Sequence, residues 1–314
     1  MSFFCAIFWI CSFIVIIIYS VIIFAGVIFF FVGSRYAFQK ACKRRTSHPG
    51  NLETADDEQN SLSTKNEKII ITASDGVRLV GYFYERKKNA PIVIFFHGLW
   101  STGFVNGKPI YRITEKHNWN LLLATLRAHG ESGGEYSTFG ALEKYDCRDW
   151  VSWARKRFGT ESLIFLIGIS MGGAIAMLSS NLEGMECVRG IIDEGGYTSP
   201  LEMIEINSRD KLQSKFLVRI FSELVNVGAR IWGRCNLRGV DACKALMNTK
   251  IPVLIIHGDK DTQAPVAMAY RLNNSCKSEK QMLIIRGAGH TDCYKIDPLR
   301  YENAVYEFIK NHIT

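Results

Sequence analysis

The chain has 314 residues, of which 47% are hydrophobic and 22% are charged, and its formal net charge is +8 at pH 7. This balance is typical of one globular domain with an apolar segment attached. Much of the positive charge lies beside the apolar N-terminus, at Arg35, Lys40, Lys43, Arg44 and Arg45. That location favours lipid headgroups as a partner. No basic stripe with interleaved aromatic residues occurs, which argues against nucleic acid.

Nine cysteines are present, and none of them forms a C-x-x-C pair. The sequence therefore predicts neither a zinc site nor a compact disulfide framework. Seven of the nine follow the apolar segment, and this odd number favours a reducing compartment.

The N-terminus is a long apolar run, with no charged side chain from Ser2 to Gly33. It exceeds the roughly 20 residues that a helix needs to cross a hydrocarbon core. A cleaved signal peptide would have a basic start and an apolar run of about 7–15 residues, and a buried core helix is the other alternative. We predict a retained transmembrane anchor over residues 1–34. The basic cluster after it predicts, by the positive-inside tendency, a single-pass protein whose main domain is cytoplasmic.

A basic juxtamembrane stretch and a polar linker are predicted over residues 35–66, followed by one folded domain over residues 67–314. The first two strands, at residues 69–72 and 77–84, flank Asp75-Gly76 and should pair antiparallel. Further apolar runs predict buried parallel strands at residues 92–96, 120–125, 163–167, 188–193, 253–257 and 282–285.

Helical patterns alternate with these strands, at residues 142–157, 173–180, 264–274 and 298–311. The alternation predicts an α/β fold in which a mostly parallel sheet is covered by helices on both faces. Ligands in such sheets bind at the carboxyl ends of the strands. The interval between two of the predicted strands, at about residues 199–250, is too long for one crossover helix. We predict a helical cap there. A structural insertion without a role in substrate choice is the alternative.

Two Gly-x-Ser-x-Gly patterns occur, centred on Ser132 and Ser170. This pattern is typical of a nucleophile elbow, a sharp strand-to-helix turn that leaves no room for side chains two positions either side of the serine. Ser170 follows a predicted strand and precedes a run of small residues suited to a helix start. Ser132 is followed by Gly133 and Gly134, which indicate a loop. We therefore predict Ser170 as the nucleophile.

A serine hydroxyl needs a general base, and that base needs a carboxylate to orient it. With such an elbow the chain order is serine, then acid, then histidine. Asp261 follows one predicted strand and His290 follows the next, so both should reach the same sheet edge. We predict Asp261 as the acid, with Asp259 and Asp193 as rivals, and His290 as the base.

An oxyanion hole requires two backbone N–H donors. Met171, directly after the serine, should supply one of them. The loop after the first parallel strand should supply the other, and Gly98 at its bend would direct the Leu99 amide into the site. Trp100 is the alternative by register.

These pieces together resemble the α/β-hydrolase superfamily from about Lys68 onward. The resemblance is carried by five sequences: His97-Gly98, Leu126-Arg-Ala-His-Gly-Glu-Ser132, Gly168-Ile-Ser-Met-Gly172, Pro252-Val-Leu-Ile-Ile-His-Gly-Asp-Lys-Asp261 and Gly287-Ala-Gly-His290. Within the superfamily the chain is similar to bacterial serine hydrolases grouped with serine aminopeptidases and cinnamoyl-type esterases, several of which have an N-terminal membrane segment.

The resemblance implies that residues 127–132 form a structural loop and that residues 240–245 return the cap to the sheet. The chain departs from the pattern at Ala128, where glycine is usual. It also has Asp241-Ala-Cys243 where Asp-Pro would be expected before a helix.

The leading hypothesis is hydrolysis of a small or medium acyl ester, and the anchor favours a lipid-derived one. Peptide or amide hydrolysis by the same residues is the second hypothesis, and an inactive membrane-bound binding module is the third. Neither a metal nor an organic cofactor is required for the chemistry.

Overall fold

The computed structural model describes residues 2–43 and 66–313. Arg44 and Arg45 of the basic cluster, and positions 44–65 of the predicted linker, lie outside the described residues.

Eight strands form one sheet: β1 Glu67–Thr72, β2 Arg78–Tyr84, β3 Ile92–Phe96, β4 Asn120–Thr125, β5 Ile164–Ile169, β6 Val188–Glu194, β7 Val253–Gly258 and β8 Lys280–Ile285. Their order across the sheet is β1-β2-β4-β3-β5-β6-β7-β8. The first two pairings, β1 with β2 and β2 with β4, are antiparallel, and the others are parallel. The predicted fold class, a mostly parallel sheet, is confirmed.

The α-helices in the described ranges are α1 Ser2–Cys42, α2 Gly103–Asn106, α3 Lys108–Lys116, α4 Glu143–Phe158, α5 Met171–Ser179, α6 Pro200–Leu212, α7 Lys215–Ile231, α8 Ala242–Asn248, α9 Val266–Ser275, α10 Cys293–Ile296 and α11 Pro298–Asn311. Several begin at the residues that the sequence favours. In α6, Ser199 caps the first turn through its side chain and Pro200 occupies the first helical position. In α11, Asp297 and Pro298 have the same two roles.

Two apolar layers cover the sheet, because alternate residues of each strand point to opposite faces. In β3, Ile94 and Phe96 pack into one layer, whereas Val93 and Phe95 pack into the other. All five residues of this strand are buried. This explains why the central strands appear in the sequence as continuous apolar runs.

The cap consists mainly of α6 and α7, which pack against each other. A short 3-10 helix at Leu237–Gly239 follows, and then α8. The Asp241 side chain caps α8 by accepting a hydrogen bond from the Lys244 amide. An aspartate followed by Ala242 therefore starts this helix without the expected proline.

Helix α1 does not end near residue 34, where the sequence predicted the start of a linker. It continues to Cys42, and Ser34, Phe38 and Cys42 are buried against the rest of the protein. Gly228 of α7 allows the close approach, since a Cβ there would lie 2.3 Å from the Cβ of Phe38. The Cys42 carbonyl also accepts a hydrogen bond of 2.8 Å from the Ser137 amide. The last two turns of α1 are thus part of the folded domain.

The earlier part of α1 has the length and composition of a membrane-spanning helix. The stretch from Ile16 to Cys42 meets both criteria, and its most apolar part is not buried in the protein. Its side chains include Phe24, which is 67% exposed, and Phe29, which is 78% exposed. Such exposure argues against a core helix, whose apolar side chains would be covered.

Candidate active site

Ser170 lies at the turn between β5 and α5, with backbone angles of φ 54° and ψ −116°. This is a strained conformation for a residue with a side chain, and it occurs typically at functional sites. The flanking glycines are sterically required. A Cβ at Gly168 would lie 2.2 Å from the backbone of Gly172, and a Cβ at Gly172 would lie 2.0 Å from the carbonyl oxygen of Phe96. The turn therefore has the geometry of a nucleophile elbow.

The structure brings Ser170, His290 and Asp261 together at one edge of the sheet. Ser170 Oγ lies 2.8 Å from His290 Nε2, and His290 Nδ1 lies 2.7 Å from Asp261 Oδ2. Since Nδ1–H donates to the carboxylate, Nε2 is left as the acceptor for the serine hydroxyl. Proton transfer from the hydroxyl to this nitrogen needs no rearrangement.

The Asp261 carboxylate is held by the loop that follows β7. Its Oδ1 accepts hydrogen bonds from the amides of Gln263 at 2.9 Å and Ala264 at 2.8 Å. These bonds satisfy one carboxylate oxygen and direct the other toward His290. Pattern reasoning had not identified the two amides, because backbone groups leave no trace in residue identity.

The two rival acids lie in other surroundings. Asp259 Oδ1 accepts a hydrogen bond of 2.6 Å from the Gly287 amide and so stabilises the turn after β8. Asp193 is fully buried beside the start of α5, where a Cβ at Gly173 would lie 1.9 Å from its Oδ1. Burial raises the pKa of Asp193 well above its ordinary value. Neither carboxylate is bonded to His290.

Ser132, the rival nucleophile, is a buried structural residue. Its hydroxyl donates to the carbonyl oxygen of Thr125 at 2.8 Å and accepts from the amide of Val80 at 2.9 Å. These bonds link the predicted loop at residues 127–132 to the antiparallel part of the sheet. Ala128 in this loop has a positive φ of 59°, a conformation that glycine adopts without cost.

Leu99 and Met171 line the same cavity as Ser170. The loop containing Leu99 is held by Asn106, whose Oδ1 accepts from the Gly98 amide at 2.9 Å. The alternative donor, the Trp100 amide, is bonded to His129 Nε2 at 3.0 Å. Within residues 2–43 and 66–313, the Leu99 and Met171 amides have no hydrogen-bond partner. Both are therefore available to an oxyanion.

Two further histidines, His97 and His257, support the loops around the site. His97 accepts from the Leu126 amide at 3.1 Å and is 0% exposed, and burial lowers its pKa to about 3. His257 Nε2 lies 2.7 Å from the carbonyl oxygen of Ala264, and burial lowers its pKa as well. Because the low pKa keeps both rings neutral, they act as fixed structural groups near the site.

A buried acid, Glu194, lies behind the elbow. Its carbonyl oxygen accepts from the Ser170 amide at 2.7 Å, and its Oε1 accepts from the Cys293 amide at 3.3 Å. Burial raises the pKa of Glu194 to about 7, although hydrogen bonds from Tyr301 and Cys293 oppose the rise. The sequence did not indicate a role for Glu194, because this residue directly follows the predicted apolar strand at residues 188–193.

A cavity of about 470 Å³ opens over Ser170. The cap contributes apolar side chains to its wall, among them Met203, Leu212 and Phe221, and α1 contributes Lys40 and Ala41. Two other cavities of about 520 and 680 Å³ lie away from the three side chains. The predicted cap is therefore placed over the site, together with a wall from α1 that the sequence analysis had not predicted.

No protein-family model matches the chain. Among curated proteins, the chain is 24% identical to the uncharacterized protein YqkD of Bacillus subtilis, over 77% of this chain and 79% of YqkD. It is 27% identical to the uncharacterized protein YfhR of Salmonella typhimurium, over 79% of this chain and 82% of YfhR.

Solved structures share the architecture over most of the chain. An esterase of Pyrococcus furiosus superposes with a TM-score of 0.67 and 24% identity, covering 81% of this chain and 94% of that one. The α/β hydrolase GrgF of a Penicillium species gives a TM-score of 0.63 with 16% identity, over 79% and 99%. Est1E of Butyrivibrio proteoclasticus, with ferulic acid bound, gives 0.59 with 22% identity, over 78% and 99%.

The chain has the α/β-hydrolase fold. In an α/β-hydrolase fold the carboxyl ends of the parallel strands form the functional edge. Here Ser170 follows β5, Asp261 follows β7 and His290 follows β8, so each of these side chains leaves the sheet at that edge.

Two wall residues of this α/β-hydrolase site, Lys40 and Ala41, lie within the predicted linker. A signal for them was present in the sequence. Ser34, Ala37, Phe38 and Ala41 recur at helical spacing, with Arg35, Tyr36 and Lys40 between them. That pattern is typical of an amphipathic helix packed on a protein surface.

Proposed function

We propose that the protein is a serine hydrolase that cleaves carboxylic esters, with Ser170 as nucleophile, His290 as general base and acid, and Asp261 as the residue that orients His290. The observation that carries this proposal is the continuous chain of hydrogen bonds, 2.8 Å from Ser170 to His290 and 2.7 Å from His290 to Asp261. This chain of hydrogen bonds ends at Ser170, whose backbone is strained. Beside Ser170, the Leu99 and Met171 amides have no hydrogen-bond partner within the described residues.

In the acylation step, Ser170 Oγ attacks the carbonyl carbon of the ester and its proton passes to His290 Nε2. The carbonyl oxygen becomes an oxyanion, to which the Leu99 and Met171 amides donate hydrogen bonds. The bond between the carbonyl carbon and the alcohol oxygen then breaks, and His290 gives its proton to the departing alcohol. Asp261 stabilises the positively charged imidazolium between these two transfers.

In the deacylation step, a water molecule attacks the acyl carbon and gives one proton to His290 Nε2. The bond between the acyl carbon and Ser170 Oγ breaks, and His290 returns the proton to Ser170 Oγ. The carboxylic acid leaves, and the protein is restored without any cofactor in the cycle.

Esters are favoured over amides because two proteins of similar structure, from Pyrococcus furiosus and Exiguobacterium antarcticum, are esterases. The alternative, a peptidase of the serine aminopeptidase-like type, would use the same residues. Comparing p-nitrophenyl esters with aminoacyl p-nitroanilides of similar size distinguishes the two activities.

We further propose that α1 spans the membrane once and that the catalytic domain is cytoplasmic. Arg35, Lys40 and Lys43 follow the apolar stretch on the side of the folded domain, and positive charge on that side favours a cytoplasmic location. Protease treatment of sealed spheroplasts tests this orientation, since a cytoplasmic domain resists digestion until the membrane is opened.

Labelling with a fluorophosphonate probe tests the nucleophile. We expect the wild-type chain to be labelled and Ser170→Ala to lose the label, with ester hydrolysis reduced by about four orders of magnitude or more. Ser152→Ala is the matched control, because Ser152 lies on α4 and does not line the cavity. A folded wild-type chain that takes no label, or a Ser170→Ala protein that keeps it, would contradict the proposal and favour a binding role.

A further inference from the structure

The cavity over Ser170 has an unbalanced charge. Lys40 of α1 and Lys211 of α6 both line it, and no aspartate or glutamate of the described chain does. Neither lysine has a carboxylate partner within residues 2–43 and 66–313; Lys40 lies only over the ring of Tyr36, 5.6 Å from its centroid. Two ammonium groups without counter-charges make this opening attractive to an anion.

The rest of the wall is largely apolar. Leu99, Met203, Ile204, Leu212 and Phe221 face the same space as Ser170. A volume of about 470 Å³ lies within the range of small-molecule sites. The cavity therefore combines an apolar surface suited to an acyl chain with a cationic rim. A ligand that is both apolar and negatively charged fits these two features.

The position of Lys40 on α1 places this rim close to the membrane. Val32, which is 58% exposed, ends the continuous exposed apolar stretch, and Lys40 follows eight positions later in the same helix. At 1.5 Å per residue these positions are separated by about 12 Å along the axis. The polar layer on each side of a bilayer is roughly 5–8 Å thick, so the rim lies just beyond the headgroups.

We infer that the substrates are anionic acyl esters, with Lys40 and Lys211 binding the negative group while Ser170 attacks the acyl carbonyl. This inference rests on the proposed function and specifies its substrate class. Phosphate or carboxylate groups meet the requirement, whether in a membrane lipid or in a soluble ester. Both lysines are exposed at the rim, so each should contribute a modest preference rather than an absolute one.

The test compares two esters with the same acyl chain, 1-octanoylglycerol 3-phosphate and uncharged 1-octanoylglycerol, using the full-length chain in neutral detergent. The measured quantity is the ratio of kcat/KM for the anionic ester to that for the neutral one. We expect this ratio to exceed one in the wild type and to fall by about two- to fivefold in Lys40→Gln and in Lys211→Gln. In the double variant this ratio should fall by about tenfold.

Lys88→Gln is the matched control, because Lys88 is an exposed lysine in the loop before β3, at the opposite edge of the sheet. It removes one positive charge and should leave the ratio unchanged. The inference is overturned if the wild type prefers the neutral ester, or if the control lowers the ratio as much as the rim variants do. Raising the ionic strength should also lower the wild-type ratio, since exposed charges are screened.

A second arm identifies the source of the substrate by presenting 1-oleoylglycerol 3-phosphate in phosphatidylcholine vesicles that contain the protein. A rate that follows the mole fraction in the bilayer indicates a membrane lipid, whereas a rate that follows the free concentration of the octanoyl ester indicates a soluble one. Because both esters in this arm are anionic, it distinguishes the two sources only, and the kcat/KM ratio in detergent decides the preference for an anion.

Failure of the proposed function gives a different result. If Ser170 takes no fluorophosphonate label and neither ester is hydrolysed, the catalytic proposal fails. Calorimetric binding of hexyl phosphate then tests the cationic rim by itself: weaker binding to the double variant supports it, and equal binding overturns it.

Discussion

Two aspartates separated by one residue follow β7, and their hydrogen bonds give them different roles. Asp261 is bonded to His290, whereas Asp259 is bonded to the Gly287 amide. An asparagine at position 261 would favour the wrong imidazole tautomer, with the proton on the nitrogen that must accept one from Ser170. We expect Asp261→Asn to lower kcat by about 10⁴-fold, as measured with a p-nitrophenyl ester.

Asp259→Asn is the matched control for this substitution. Its amide oxygen can still accept from Gly287, so kcat should remain within a few-fold of the wild-type value. Equal losses of kcat in the two variants would contradict the assignment of Asp261.

Because of its raised pKa, Glu194 should make the free energy of unfolding depend on pH. Burial raises its pKa to about 7 from an ordinary value of 4.5, so between these values the folded chain retains a proton that the unfolded chain has lost. The stabilising effect of this proton is complete below the unfolded pKa and is lost as the pH rises through the folded pKa. Glu194→Gln cannot ionise and keeps an oxygen that can accept from the Cys293 amide.

We therefore expect the stability of Glu194→Gln relative to wild type to increase between about pH 4 and about pH 8, by up to about 3 kcal/mol. Thermal unfolding of the full chain at several pH values measures this difference. Glu183→Gln, at an exposed position, should show no such trend. A difference between Glu194→Gln and wild type that stays constant with pH would show that folding does not raise the pKa of Glu194.

At the scale of elements, the contact between α1 and α7 depends on Gly228. Alanine normally stabilises a helix interior relative to glycine by about 1 kcal/mol. Here a Cβ would lie 2.3 Å from the Cβ of Phe38 and 2.6 Å from the carbonyl oxygen of Ser34. Since one of these atoms belongs to the backbone, the helices must move apart.

We expect Gly228→Ala to destabilise the protein by about 1–3 kcal/mol, the opposite sign to helix propensity, as measured by thermal unfolding in detergent. Gly239→Ala is the control, because the nearest atom to a Cβ there is 3.9 Å away. A higher melting temperature for Gly228→Ala would mean that α1 and α7 are not packed as described.

Elements were predictable from the sequence where burial is uniform. The bounds of β3 and β4 agree with the prediction, because strands buried on both faces are continuous apolar runs. The end of α1 was not predictable from charge alone. Arg35 and Lys40 indicated a basic juxtamembrane segment beside the lipid headgroups. Between them, however, Ala37 and Phe38 are buried, and Phe38 packs against α7 and Tyr136.

The order of residues at the sheet edge could also be anticipated, since Ser170, Asp261 and His290 each follow a strand. The register of the proposed oxyanion loop depends on local backbone angles, which residue identity does not fix. Trp100 has a positive φ of 58°, and its amide is bonded to His129. That bond leaves Leu99 as the available donor, a distinction that required coordinates.

At the scale of the whole molecule, the candidate site combines three parts of the chain that are distant in sequence. The edge of the sheet supplies Ser170, Asp261 and His290, the cap supplies an apolar wall, and α1 supplies Lys40 and Ala41. Pattern reasoning identified the first part because its residues follow predicted strands. It could not identify the assembled wall, since tertiary packing of α1 on α7 determines which of their side chains face Ser170.

The packing of α1 on the cap joins a helix with the length and composition of a membrane span directly to the cavity over Ser170. A spanning helix adjusts its tilt to the thickness of the surrounding bilayer, and the final two turns of α1 are fixed to α7 and to the Ser137 amide. If α1 spans the membrane as proposed, any change in its tilt must therefore either reorient the folded domain as a unit or shift one side of the cavity. Lipid composition would then alter the shape of this cavity mechanically, without any lipid binding to the protein as a ligand.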